Sequence, residues 1–371
     1  MDLIKIFGTR VAFSLAAMAL SVSLAVGCSA PAAQAPAAPA PTKQAASAPA
    51  AASPAAAKEA AATPTKAAEQ AAAPAEKYPT RPIDFIVPWG AGGGADQMSR
   101  KIGSLAEKEL GVALPVMNVA GATGGTGAAK MLAAPADGYT ILAYIADSHA
   151  NVASGAAAYS HKDFAPIVRT QKCPSFFFVK TDAPYQTWQD LEKYARANPE
   201  KLRVGITGEG SVDEVTVAYF ASKGVKMTGV PYPNPGERYA AALGGHVEVL
   251  YEQAGDIRQY LANNQLKPLI VFTEKRLEAL PDVPCSKELG YDIFLPQFRG
   301  IVAKKGTDPA KIKVLADAFK KATQTPDWAA FAKEQYMTDD SFMGPEEYAK
   351  FLDSEYDTMV TLMKQLGLKV K

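Results

Sequence analysis

Short β-rich runs alternate with stretches of helical spacing along most of the chain. Ile83-Asp84-Phe85-Ile86-Val87 is a compact apolar run that stops at Pro88, as a buried strand would. From 97 to 110 the apolar residues Met98, Ile102, Leu105 and Leu110 recur at helical spacing. A strand at 115–119, a glycine-rich turn, a helix to about residue 134 and a strand at 139–145 follow. Further strands are expected at 176–179, 202–206, 247–251, 268–272 and 300–303, with helices at 188–197 and 212–223 between them. Helices dominate from 309 to 366, broken near Pro326 and at Gly344-Pro345, because proline cannot continue a helix. This alternation predicts an α/β fold with mainly parallel sheets, and its length, about 300 residues, favours two such domains.

The first 77 residues obey a different pattern. Lys5 and Arg10 precede an uncharged apolar run over 11–26 that ends at Leu24-Ala25-Val26-Gly27-Cys28, and residues 1–27 read as an export signal. A small residue directly before a cysteine resembles the signals of bacterial lipoproteins, in which Cys28 would become the acylated N-terminus. An ordinary secreted protein with a cysteine at that place is the alternative. Of the 49 residues 29–77, 25 are Ala and 8 are Pro, and none is aromatic or Leu, Ile, Val or Met. Such a segment has nothing to bury against its conformational entropy, so residues 28–77 are expected to be a disordered tether.

Composition removes several classes of function. Lys and Arg total 39 against 38 Asp and Glu, a formal charge of +1 without a long basic run, which argues against a nucleic-acid binder. Three Cys and three His provide little for a metal centre, and neither metal nor cofactor is expected. In an exported chain a disulfide between Cys173 and Cys285 is chemically permitted.

Three strand-to-helix turns hold the candidate chemistry. They are Pro88-Trp89-Gly90-Ala91-Gly92-Gly93-Gly94-Ala95-Asp96, Gly121-Ala122-Thr123-Gly124-Gly125-Thr126-Gly127, and Gly205-Ile206-Thr207-Gly208-Glu209-Gly210-Ser211. Glycine lets another group approach the main chain closely, and a helix starting there aims free N–H groups and a positive dipole end at the gap. The first turn also fits G-x-G-x-x-A, a weak match to a dinucleotide loop, and none carries the Gly-Lys-Ser/Thr of a phosphate-binding loop. The third turn lies more than 80 residues beyond the others, so two halves would grip one anion from both sides.

With these turns in place, the chain from about Tyr78 onward resembles the substrate-binding receptors of tripartite tricarboxylate transporters. The markers are Tyr78-Pro79-Thr80-Arg81-Pro82, the 88–96 loop, Asn118 with Gly121-Ala122, Pro135-Ala136-Asp137-Gly138-Tyr139-Thr140, Asp163-Phe164-Ala165-Pro166-Ile167, Val230-Pro231-Tyr232, Gly244-Gly245-His246-Val247 and Leu280-Pro281-Asp282-Val283-Pro284. The resemblance implies a two-lobed fold of the periplasmic-binding-protein type II class. Each lobe would be a mainly parallel sheet flanked by helices, with two hinge crossings near 180–183 and 296–300. Lobe 1 would comprise 78–181 with 297–371, and lobe 2 would comprise 182–296. It implies a small organic carboxylate held between the lobes, hinge closure, multi-span membrane permease subunits as partners, and contact with the membrane only through the N-terminal lipid.

The same resemblance nominates the site. One carboxylate would be held by the main chain around Gly92, Gly93, Gly94, Gly121, Ala122 and Thr123. Trp89 would form an apolar wall or a core residue under the loop, and Asp96 a helix cap or, less directly, a ligand contact. Ser148 would face the cleft or cap a helix. Thr207, Gly208 and Ser211 would hold the far end of the ligand, and Tyr232 would add a hydrogen bond. In the second lobe Glu214 stands where related sequences commonly have His, and Glu252 where Asp is frequent. If they face the cleft they favour an amine, a hydroxyl or a protonated ring nitrogen, whereas Arg238 would favour an acid. An enzyme is the rival class, but Gly208-Glu209-Gly210-Ser211 lacks the G-x-S-x-G elbow and none of the His has a local nucleophile partner. A receptor that feeds a sensory system stands as the alternative to uptake.

Overall fold

The computed structural model describes residues 77–370, and its strands fall into two five-stranded sheets. The expected signal, Cys28 and all but the end of the tether lie outside the described residues.

The first lobe begins with β1 (Asp84–Val87), α1 (Gly94–Leu110), β2 (Val116–Asn118), α2 (Gly125–Ala133), β3 (Thr140–Ile145), α3 (Ala146–Ala153) and β4 (Phe164–Cys173). The second is built from β5 (Phe176–Lys180), α4 (Trp188–Ala197), β6 (Arg203–Ile206), α5 (Val212–Ser222), β7 (Thr228–Pro231), α6 (Pro235–Leu243), β8 (Val249–Glu252), α7 (Arg258–Ala262) and β9 (Leu266–Val271). The chain then returns with β10 (Gln297–Lys304), α8 (Pro309–Thr323), α9 (Pro326–Glu334) and α10 (Pro345–Gln365).

The first sheet runs β2-β1-β3-β10-β4, with β1 parallel to β2 and β3, and β10 antiparallel to β3 and β4. The second runs β7-β6-β8-β5-β9, with β6 parallel to β7 and β8, and β5 antiparallel to β8 and β9. Each sheet thus receives one antiparallel strand at the same place in its order. The fold is the two-lobed, periplasmic-binding-protein-like α/β fold that the resemblance implied.

Hydrophobic periodicity explains the layers. Met98, Ile102 and Leu105 on α1 bury against Phe85 and Val87 of β1 in one core. A left-handed Gly111 ends the helix by donating its N–H to the Glu107 carbonyl. In the second lobe Phe177 of β5 sits among Trp188, Phe220, Tyr251 and Phe272. Burying a side chain of this size stabilises the fold by about 1.5–3 kcal/mol.

Several elements depart from the sequence reading. The first passage between sheets was expected at 180–183, but Phe176–Lys180 already pairs with β8 and β9, so the chain crosses at 174–175. Pro174 explains the break, because it cannot donate to a ladder and holds Cys173 extended. Strand β4 went unread because it contains Pro166, which is tolerated on this edge of the sheet. Helix α3 is buried along its whole length and has no amphipathic period. It carries His149, whose imidazole burial and then the charge of His161 pull down to about 3. Cys173 and Cys285 are buried free thiols, not a disulfide. No described helix is long and apolar enough to cross a membrane.

Candidate functional site

The lobes meet along the turns that follow their parallel strands. A cavity of about 30 Å³, room for one or two water molecules, lies between them. Its first-lobe wall contains Trp89, Gly93, Gly94, Asp147, Gln297 and Arg299, and its second-lobe wall Thr207, Asp213, Arg238, Glu252, Gln253 and Asp256.

Local sequence sets this geometry. The turn after β1 is fixed from within: Asp96 accepts hydrogen bonds from the Gly92 N–H (3.0 Å), Arg100 Nε (3.1 Å) and Asn118 Nδ2 (2.9 Å). Asp96 is buried, and desolvation notwithstanding, these bonds hold its carboxyl below the usual range. A methyl group at Gly94 would overlap the Arg299 guanidinium and the Asp256 carboxylate, and one at Gly93 would overlap Pro235. At these positions glycine keeps the first-lobe rim thin enough for the second lobe to close over it.

Charge in the cavity is arranged in three groups. Arg299, from β10, forms a buried ion pair with Asp256 and donates to Gln253 Oε1 at 2.8 Å, joining the lobes. Burial pushes Asp256 up to about 6 despite Arg299. Arg238, on α6, pairs with Glu252 at 2.6 Å and donates to the Tyr232 carbonyl at 3.0 Å, both within the second lobe. The third group is a pair of acids. Asp147, at the start of α3, accepts from the first N–H of α5, that of Val212 (3.1 Å), and from Gln297 Nε2 (2.6 Å). Asp213, in the first turn of α5, accepts from the Thr207 N–H (2.6 Å) and hydroxyl (2.7 Å). Burial, and next the charge of Asp213, raise the Asp147 carboxyl well above its ordinary range.

Several polar atoms on the cavity wall lack a hydrogen-bond partner although they are buried. The donors are Trp89 Nε1, Arg238 Nε and Arg299 Nε; the acceptors include Gln297 Oε1 and Asp213 Oδ1. Buried polar groups are ordinarily satisfied, so the cavity is built to receive a polar group.

The structure brings together Trp89, Gly93, Gly94, Thr207 and Glu252 of the nominated residues on this cavity. Gly92 instead borders a neighbouring hollow with Gln97 and Arg258. Gly121, Ala122 and Thr123 stand aside from the cavity wall; the Thr123 hydroxyl donates across the lobes to the Glu209 carbonyl (3.1 Å). Gly208 faces Thr123, and Ser148 lies beside Gly124 under the loop. Ser211 caps α5 by accepting from the Glu214 N–H (3.2 Å), and Glu214 accepts from the Gly210 N–H (2.6 Å). Tyr232 contributes its carbonyl to Arg238. Sequence reasoning nominated none of Asp147, Asp213, Gln253, Asp256, Gln297 and Arg299 for the ligand site. A signal existed for two of them: Asp147 and Asp213 each fall in the first turn of a helix that follows a strand.

Comparison with known proteins adds the following. The family model described as "Tripartite tricarboxylate transporter family receptor" matches residues 98–368. The UPF0065 protein in the gbd 5′ region of Cupriavidus necator is 34% identical over 300 residues, covering 79% of this chain and 90% of that protein. A TctC solute binding protein from Polaromonas is 30% identical with a TM-score of 0.58, over 78% of this chain and all of that one. MatC from Rhodopseudomonas palustris, solved with bound malate, is 23% identical with a TM-score of 0.71, over 77% of this chain and 99% of that one.

Proposed function

We propose that this chain, which belongs to the tripartite tricarboxylate transporter receptor family, captures a small organic carboxylate between its lobes and delivers it to the membrane subunits of such a transporter. The observation that carries this reading is the set of unpartnered donors on the cavity wall. Trp89 Nε1, Arg238 Nε and Arg299 Nε are buried, and each offers an N–H that a carboxylate oxygen satisfies. The malate held by MatC, a protein of the same fold, supports the choice of a carboxylate.

The two sheets act as plates joined at 174–175 and through 272–296. A ligand of four or more heavy atoms exceeds a 30 Å³ cavity, so it enters with the lobes apart and is enclosed as they approach. Export and acylation at Cys28 complete the proposal, with residues 29–77 as a tether between the lipid and the receptor. The test is thermal unfolding of the purified protein with mono-, di- and tricarboxylates, aromatic acids and amino acids. At least one carboxylate raises the melting temperature in a concentration-dependent way. Silence across the panel at millimolar concentration overturns the reading.

A further inference from the structure

The charges around the cavity do not cancel. Arg238 is matched by Glu252 and Arg299 by Asp256, which leaves Asp147 and Asp213 with no base of their own on the wall. The two carboxyls come from opposite lobes, and each is almost fully buried. Beside them Gln297, 5% exposed, spends its Nε2 on Asp147 and leaves Oε1 without a donor. The partners of the pair are a backbone N–H, the Thr207 hydroxyl and N–H, and an amide, none of which carries a formal charge. Two helix N-termini ease the burden of negative charge, and the neutral form that burial favours at Asp147 eases it further.

From this arrangement, and on the reading of the protein as a carboxylate receptor, we infer that Asp147, Asp213 and Gln297 form a subsite for a cationic nitrogen, so that the preferred ligand is an amine-bearing carboxylate. An ammonium has three donors, and the subsite has three acceptor groups to meet them. It sits between the two carboxyls and bonds to both lobes, so it favours closure where a bare carboxylate would not. The ligand's own carboxylate faces the unpartnered N–H groups of Trp89, Arg238 and Arg299. A cation beside Asp147 favours its ionised form, so the proton that Asp147 gives up leaves to solvent.

Isothermal titration of the purified protein at pH 7 compares L-aspartate with succinate, L-glutamate with glutarate, and 1,4-diaminobutane as an amine without carboxylate. An amino member binding about tenfold or more tightly than its partner, with about one proton released in buffers of different ionisation enthalpy, supports the subsite. Asp147→Asn is expected to erase that preference, weakening the amino member of each pair more than its plain partner. If this variant does not fold, proton release by the wild-type protein decides alone. Equal or tighter binding of succinate and glutarate overturns the cationic subsite and leaves the carboxylate reading standing. Binding of 1,4-diaminobutane alone reverses that outcome, supporting the subsite and overturning the carboxylate. Failure of all the probes overturns both.

Discussion

In the first lobe the turn after β1 is glycine-rich and settles its one acid internally, with Asp96 tied to Gly92, Arg100 and Asn118. In the second lobe the start of α5, the end of β8 and the turn after it bring Asp213, Glu252 and Asp256 to the cavity, and α6 adds Arg238. The two sheets nevertheless share strand order and direction. A repeated scaffold therefore carries unequal rims: a thin one that admits a neighbour, and a charged one that selects what lies between. Arg299 and Asp147 are the first lobe's two charged contributions to the cavity wall, and both bond across to the second.

Removing one partner from each buried ion pair tests this asymmetry most severely. Arg238→Met leaves Glu252 buried within a single lobe and is expected to cost about 3–5 kcal/mol, measured by urea unfolding. Arg299→Met strips an interlobe pair, and opening the cleft rehydrates Asp256. Its cost in unfolding is expected to be smaller, and its larger effect is an increased radius of gyration in solution scattering. Equal destabilisation by both would break the distinction. Next in size is Gly94→Ala, whose methyl meets Arg299 and Asp256. Overpacking of this kind costs about 1–3 kcal/mol and is expected to weaken ligand binding roughly tenfold or more. Gly236→Ala, with nothing within 4 Å of the added carbon, is the neutral control.

The acid pair gives a pH test. A carboxyl raised in the closed protein favours its neutral form there, so its contribution is complete below the ordinary value of about 4. It is lost as pH climbs towards the raised value, because the open or unfolded state ionises first. Asp256, raised to about 6, acts in the same direction, while Glu252, Arg238 and Arg299 face the same cavity. His149 and His161, both held below the ordinary histidine range, act in the opposite direction up to about pH 6.5, so the test is the difference between proteins: the melting temperature of Asp147→Asn should fall less, or rise more, between pH 5 and 8 than that of the wild type. Parallel profiles of the two proteins contradict the raised Asp147 carboxyl. The smallest effect concerns the thiols: Cys173 and Cys285 should both stay silent to a thiol reagent until the protein is denatured and then titrate as two free groups. Burial already pushes the Cys173 thiol up to about 12.

Much of this architecture is legible in periodicity and turns. The apolar spacing over 97–110 and the runs before Pro88 and Gly208 mark α1, β1 and β6 because one face of each meets a core and glycine or proline ends it. Periodicity is silent where burial is complete, as in α3, or where a proline sits on an edge strand, as in β4. The glycine turns point to the cleft, but the charges inside it depend on which side chains two distant segments bring together. Asp147 and Asp213 are 66 positions apart, Asp256 and Arg299 are 43 apart, and no local pattern reveals that they meet. Glu214 shows the converse: its place among related sequences suggests the cleft, while its helix-capping geometry turns it to Gly210.

The position of β10 between β3 and β4 also orders the assembly of the chain in time. The second sheet gathers all its strands from one continuous stretch, β5 to β9, and is complete once residue 271 has emerged. The first sheet must hold β4 without its ladder partner until 297–304 arrives, more than a hundred residues later. A chain appearing from its N-terminus thus finishes its middle before its beginning, and the lobe that starts first pays the longer loop closure.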